Sequence, residues 1–199
     1  MVIWLTGLSG AGKSTIASTI VQELKAQGNA TALLDGDDLR SGLNSDLGFA
    51  EADRKENVRR VGEVARLMSD AGLVVIVALI SPFKAGRDKV RLSLPAGRFI
   101  EVFVSTPLYV AEARDSKGLY RLARAGKLPD FTGISSPYEV PDAPEVFIET
   151  EFLLPEQAAR LILAAMHAAH GAAQWTAMPS ASRSPCSPES REPPSDSLP

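Results

Sequence analysis

The chain has 199 residues, 45% of them hydrophobic and 23% charged, which supports the core of one domain and excludes disorder throughout. Its 21 Lys and Arg against 24 Asp and Glu leave a net charge of −3, without the basic excess of a non-specific nucleic-acid binder, so any bound anion must be held locally. The single Cys186 excludes an intramolecular disulfide, a Cys-based zinc site and a CxxC redox pair; with no apolar run near the ~18 residues of a membrane span and no cation before Lys13, a cytoplasmic protein is expected.

Taken in chain order, an apolar run at residues 2–6 predicts the first strand. It leads into Gly7-Leu8-Ser9-Gly10-Ala11-Gly12-Lys13-Ser14-Thr15, which fits GxxxxGK[ST] between a strand and a helix predicted over 13–27. Glycines let backbone N–H groups curl around a phosphate, and Lys13 neutralises its oxygens. The helix N-terminus adds its dipole, and the Ser14 hydroxyl suits Mg²⁺. A second strand at 30–34 ends in Asp35-Gly36-Asp37-Asp38-Leu39-Arg40. These carboxylates suit Mg²⁺ or an attacking hydroxyl, and the plainer role for Asp37 or Asp38 is to cap a following helix. A helix predicted over 51–71, closed by Gly72, carries Val58, Val61, Ala65 and Met68 on one stripe. Arg54, Asn57 and Val61 share a face of it, so a guanidinium and an amide reach one ligand while Lys55 or Arg59 points elsewhere.

The third strand, at 73–80, hands over to Ile80-Ser81-Pro82-Phe83-Lys84. Pro82 suits a first helical position there, and Ser81 suits a helix cap, a ligand contact or a phosphoryl acceptor. A fourth strand at 99–105 precedes a basic, partly helical stretch with Arg114, Lys117, Leu119, Arg121, Arg124 and Lys127, then a turn-rich segment at 131–139. Together they read as a lid that closes on phosphates and excludes water. A strand at 146–149 and a helix at 155–169 complete a folded unit at 1–170; His167 and His170 on that helix lack a third metal ligand and are read as surface residues. The tail, 171–199, holds six of the 14 prolines and seven serines and is expected to be disordered.

Alternating strands and helices with unbroken β-branched runs such as LVVIVALI predict an α/β, three-layer fold. Its mostly parallel five-stranded sheet should have fully buried strands, with ligands beyond their C-terminal ends. The phosphate-binding loop alone leaves the acceptor open between water, a hydroxyl and a mechanical cycle. The length leaves little room for the arms of a machine, and no NKxD base-reading segment is present, so a small-molecule kinase leads.

The segments GLSGAGKST, DGDDLR, DRKENVRR, ISPF, FIEVFVSTPL, EARDSKGLYRLARAG and FTGISSPYEVPDAPE, spread over roughly residues 2–165, resemble the adenylylsulfate kinase family. The resemblance implies a P-loop kinase fold and transfer of the γ-phosphoryl group of ATP, with Mg²⁺, to the ribose 3′-hydroxyl of adenosine 5′-phosphosulfate (APS), giving PAPS. It implies ATP phosphates at Gly7 to Thr15 and the ATP base beside Arg114. It places the acceptor at Asp35, Asp37, Arg40, Phe49, Arg54, Asn57, Ile80, Ser81, Lys117, Leu119, Phe131 and Thr132. Catalytic roles fall on Lys13, Asp35, Asp37 and Ser81, and Mg²⁺ on Ser14 and Asp37. In the family, the serine matching Ser81 is described as a phosphoserine intermediate; in-line transfer makes it a substrate-binding residue instead. A homodimer, sometimes joined to ATP sulfurylase, is also implied. Departures from the family pattern are Asp38, Phe83, Lys84, Ser105 and Pro129-Asp130. The family's segment before the first strand has no counterpart here, as expected of a domain cut from a longer chain. Two other readings stand beside it: a second enzyme reading, a kinase of another small hydroxyl compound, and one of another class, a non-catalytic nucleotide-sensing module, against which the intact Lys13 and Ser14 argue.

Overall fold

The computed structural model describes residues 1–176. The elements, in order, are β1 (Val2–Thr6), α1 (Lys13–Ala26), β2 (Thr31–Asp35), α2 (Gly36–Ser41), α3 (Glu51–Asp70) and β3 (Val74–Ala78). They continue as α4 (Lys84–Leu92), β4 (Phe99–Ser105), α5 (Leu108–Arg114), α6 (Leu119–Arg124), β5 (Val146–Glu149) and α7 (Pro155–Thr176). The strands form one sheet in the order β2-β3-β1-β4-β5, and all four pairings are parallel.

Period-two alternation in β1 divides the core. Ile3 and Leu5 pack with Ile16, Ile20 and Leu24 of α1 and Ile162 of α7, whereas Val2 and Trp4 pack with Val58, Val61 and Ala65 of α3 and Val90 of α4. These are the helical layers expected on both faces of a parallel sheet. The apolar runs are fully enclosed in β1 and nearly so in β3 and β4. β2 and β5 depart from that expectation: as edge strands with one neighbour each they leave Leu33 and Phe147 exposed. A third, smaller cluster of Ala111, Tyr120, Ala123 and Phe131 gives the basic stretch its own core.

Several boundaries differ from the sequence reading. Pro82 does not open a helix, since α4 begins two residues later with Phe83 as N-cap, and Ser81 is no cap. Gly72 follows the C-cap Ala71 with φ +93, the left-handed turn that stops α3. The last helix continues past 169 to Thr176, and residues 177–199 of the proposed tail lie outside the described residues. At Gly62, a Cβ would stand 2.5 Å from Val90 Cγ2, so this glycine permits the close approach of α3 and α4.

The least expected core feature is ionic. Arg87, 1% exposed, donates from Nε to Glu101 Oε1 at 2.6 Å, from Nη1 to the Ser81 carbonyl at 2.7 Å and from Nη2 to the Glu139 carbonyl at 2.9 Å. Arg91 bridges Glu101 to Glu145, whose carboxylate also receives the Glu101 N–H at 2.7 Å. One guanidinium thus ties β4, the 80–82 turn and the end of the 131–139 segment together. Arg87→Met should cost about 3–5 kcal/mol in chemical denaturation because it leaves the buried Glu101 carboxylate with only the longer contact to Arg91 and orphans two carbonyls, and adding Glu101→Leu should recover part of that. Equal stability of Arg87→Met and the unaltered protein would mean that the pair does not hold the fold.

Candidate active site

Because every strand runs the same way, the turns after β1, β2, β3 and β5 and the basic stretch after β4 converge on one edge around a cavity of about 820 Å³. Ser9 to Thr15 line one wall, and Asp35, Asp37, Arg40, Phe49, Arg54 and Asn57 another. Ile80 and Ser81 join the floor, and Arg114, Lys117, Leu119 and Phe131 come from the lid side.

The loop after β1 is built for an anion. Gly7 has φ +152, and a Cβ there would stand 2.4 Å from the Val104 carbonyl oxygen, so β4 passes too close for any side chain. Helix α1 starts at Gly12 with no side-chain cap and no acid in its first turn, leaving its N–H groups to a ligand. Gly7 and Leu8 lie behind the cavity wall, where their carbonyls accept from Lys13 Nζ at 3.0 and 2.7 Å. Burial pulls the Lys13 amine down to about 8 from its ordinary 10.5, opposed by the negative charge of Asp35.

Beside it, the Ser14 hydroxyl donates to Asp35 Oδ2 at 2.6 Å, while Asp35 Oδ1 accepts the Asp37 N–H at 3.0 Å. The residue that caps α2 is therefore Asp35, and neither Asp37 nor Asp38 does so. Asp37 instead forms an ion pair with Lys117, joining the segment after β2 to the basic stretch after β4. The sequence reading put Mg²⁺ on Ser14 and Asp37, but the carboxylate in contact with Ser14 is that of Asp35, while Asp37 is paired with Lys117. Hydroxyl and carboxylate oxygens at the mouth of a phosphate loop suit a hard cation that keeps most of its water.

Across the cavity, Arg54 is 5% exposed and donates to the Phe49 carbonyl at 2.8 Å and the Asp130 carbonyl at 2.6 Å. Arg40 donates to the carbonyls of Leu47 and Gly48 at 3.2 and 2.9 Å. The Arg40 and Arg54 guanidiniums stand 4.3 and 5.6 Å from the centroid of the Phe49 ring, so that aromatic already carries cations. Both pKa values are lowered, chiefly by desolvation, and Arg54 also by the charge of Arg40. Two confined cations bonded to neutral carbonyls form a hole that an anion would relieve.

Not every expected residue lines this space. Thr132 is 1% exposed, lies behind Phe131 and has a hydroxyl without a partner among the described residues. Phe131 is 5% exposed and packs edge-to-face on Tyr120 at 4.9 Å. The Ser81 hydroxyl, in a residue 3% exposed with φ +40, accepts from Trp4 Nε1 at 3.0 Å and donates to Thr6 Oγ1 at 2.9 Å. Sequence reasoning missed Tyr120, whose hydroxyl donates to the Ser9 carbonyl at 2.9 Å; burial pushes that phenol up to about 12. It also missed Thr150, which receives Arg114 through its hydroxyl at 3.2 Å and its carbonyl at 2.9 Å. Its place just after the last strand was the available signal. Among the described residues, no group of three His, Cys, Asp or Glu side chains forms a metal cluster, and no helix is long and apolar enough to cross a membrane.

Comparison with known proteins matches residues 1–149 to a family model described as adenylylsulphate kinase. An adenylyl-sulfate kinase of Citrobacter koseri is 60% identical over 161 residues, covering 81% of this chain and 80% of its own. The bifunctional enzyme NodQ of Azospirillum brasilense is 60% identical over 149 residues, 75% of this chain and 24% of that protein. Among solved structures, the Mycobacterium tuberculosis APS kinase CysC in complex with AMPPNP and APS superposes with a TM-score of 0.79 at 43% identity, covering 83% of this chain and 96% of that one.

The Lys13 geometry sets a pH dependence. Between about 8 and 10.5 only the unfolded chain keeps the Lys13 proton, so this residue makes the free protein more stable as pH rises through that window. A bound polyphosphate needs the charged amine, so its affinity should move the opposite way. Calorimetric titration with a nucleoside triphosphate from pH 7 to 9.5 should show affinity falling by at most ~10-fold per pH unit above 8; a flat profile would remove Lys13 from phosphate binding.

Proposed function

The chain belongs to the adenylylsulphate kinase family, and from that premise we propose that its cavity carries the γ-phosphoryl group of ATP to the ribose 3′-hydroxyl of APS, giving PAPS and ADP. The observation that carries this reading is the two-sided cavity: a phosphate loop on one wall and a confined pair of arginines on the other, with Ser14, Asp35 and Asp37 between them. One wall fits a nucleoside triphosphate, and the other fits an acceptor that is itself anionic.

The phosphates of ATP occupy the N–H groups at the start of α1. Lys13 exchanges the carbonyls of Gly7 and Leu8 for β/γ oxygens. Ser14 and Asp35 would hold Mg²⁺, which neutralises phosphate charge when bound. Arg114, anchored on Gly10 and Thr150, flanks the base. Arg40 and Arg54 bind the phosphosulfate end of APS, and Asn57, Ile80, Lys117, Leu119 and the rings of Phe49 and Phe131 shape the rest of its site. The 3′-oxygen attacks the γ-phosphorus, the bond from that phosphorus to the β,γ-bridging oxygen breaks, and the hydroxyl proton passes to Asp37.

Ser81 stands in this scheme as a floor residue. Its hydroxyl is committed to Trp4 and Thr6, which favours direct transfer over a phosphoserine. The chain is further proposed to act in the cytoplasm as a homodimer, alone or attached to ATP sulfurylase; the match to 24% of a bifunctional relative supports attachment to a second enzyme.

The test is ADP release from Mg-ATP by the purified protein with APS, gluconate, shikimate, a nucleoside monophosphate or no acceptor. Turnover should require APS and yield PAPS, and turnover on gluconate alone would replace the reading with a sugar-acid kinase. In the same assay, Arg54→Ala should raise the KM for APS by ~10-fold or more with the KM for ATP nearly unchanged. Ser81→Ala should keep kcat within ~10-fold while losing ~1–3 kcal/mol of stability at the orphaned Trp4 N–H; loss of all turnover would restore the phosphoserine.

A further inference from the structure

An amide side chain offers a ligand either its carbonyl or its NH₂, and which one depends on what holds the other end. Asn57 lies one turn beyond Arg54 on α3, is 6% exposed and lines the cavity. Its Oδ1 is occupied by Nδ2 of Asn44 at 2.9 Å. Its own Nδ2 bonds to nothing among the described residues and is not one of the fully enclosed polar atoms.

Asn44 is 0% exposed, sits in the loop after α2 and is not part of the cavity wall. Its backbone is fixed on both sides: its N–H donates to the Leu39 carbonyl at 2.8 Å, and its carbonyl accepts from Leu47 N at 3.1 Å. The loop is also held independently of the Asn44 side chain, through Arg60 to Asp46 at 2.7 and 2.8 Å and Arg40 to the carbonyls of Leu47 and Gly48. Asn44 Oδ1 has no partner among the described residues, so the bond to Asn57 is that side chain's one polar anchor.

We propose that Asn44 is a positioning residue that sets the sense of the Asn57 amide, so that Asn57 presents a hydrogen-bond donor to the acceptor nucleotide beside Arg40 and Arg54. This rests on the functional reading above and deepens it. The atom of APS recognised at Asn57 is a hydrogen-bond acceptor, such as a phosphosulfate, ribose or unprotonated ring atom, and an analogue carrying a donor at that point is rejected. Asn44 touches no ligand itself and acts through Asn57.

The decisive variants are Asn44→Asp and Asn44→Leu, of similar volume; the second has no donor and the first has none once ionised, so the effect of Asn44→Asp is read as a function of pH and should grow as the carboxyl ionises. The carboxylate of the first repels the Asn57 carbonyl and turns the amide around; the second leaves the amide free to rotate. The KM for APS should rise by about 10-fold or more in Asn44→Asp and by less in Asn44→Leu, with the KM for ATP within about two-fold in both. In an Asn57→Ala background, Asn44→Asp should raise the APS KM no further, whereas a merely structural role would add its own loss. Equal increases in both KM values, additive losses in the double variant, or no increase would overturn the proposal; if Asn44→Asp fails to fold, Asn44→Leu and its combination with Asn57→Ala decide the same points.

A second readout needs no activity. In labelled unaltered protein, a coupling across the hydrogen bond from the Asn44 side-chain nitrogen to the Asn57 side-chain carbonyl carbon is expected. The reverse coupling, from Asn57 nitrogen to Asn44 carbon, would overturn the proposal. Absence of APS turnover by the unaltered protein would sink the functional reading, and the coupling would still decide the sense of the amide.

Discussion

The site depends on one constraint: all five strands run parallel, so their C-terminal ends share one edge. That edge collects the phosphate loop after β1, Asp35 at the end of β2, the 80–82 turn after β3 and Thr150 after β5. Strands enclosed by helices are specified mainly by apolar bulk, which leaves their terminal residues free to carry chemistry. Acids and cations far apart in the chain thereby become neighbours around one cavity. Its two walls present cations in a way that no single loop would.

Electrostatic cost runs through this arrangement. Lys13, Arg40 and Arg54 are all partly withdrawn from water, and desolvation is the leading cause lowering each pKa. In the free fold they are bonded largely to backbone carbonyls, which are weaker partners than phosphate or sulfate oxygens. A bound anion recovers the solvation lost on folding, so the folded protein is set up to discriminate charged ligands from neutral ones. The opposite solution is found at Arg87, where a full carboxylate partner and two carbonyls satisfy the guanidinium and no ligand is invited. The same residue type is thus left open to an anion in one place and closed in the other, according to whether its counter-charge is built in.

Rigidity matters most where the acceptor floor meets the end of the lid segment. Glu139 N–H donates to the Pro82 carbonyl at 2.8 Å, and the Tyr138 hydroxyl is 3.0 Å from Thr6 Oγ1, which also bonds the Ile80 carbonyl at 2.7 Å. Ser81 sits inside this mesh at a positive φ that a non-glycine residue adopts only when its surroundings hold it. By contrast, the other end of the lid contacts the acceptor wall through the exposed pair of Lys117 and Asp37. A surface pair of this kind contributes little and is readily exchanged for a ligand. The same stretch is also held against the phosphate loop, by Arg114 on the Gly10 and Thr150 carbonyls and by the Tyr120 hydroxyl on the Ser9 carbonyl.

The amino-acid sequence by itself determined the strand-helix alternation, the phosphate loop and the placing of the 35–40 segment beside it. Those depend on local periodicity and on glycines whose function lies within a few residues. It also placed Arg54 and Asn57 on one helix face, because helical spacing is a local property. Only the tertiary structure decided which oxygens and nitrogens meet. It put Asp35 instead of Asp37 on Ser14, made Asp35 the cap of α2, turned the Ser81 hydroxyl to Trp4, left β2 and β5 as open edges, and set Asn44 behind Asn57. These pairings join residues from separate strands, turns and loops, so their geometry follows from packing across the fold and leaves no period or motif along the chain.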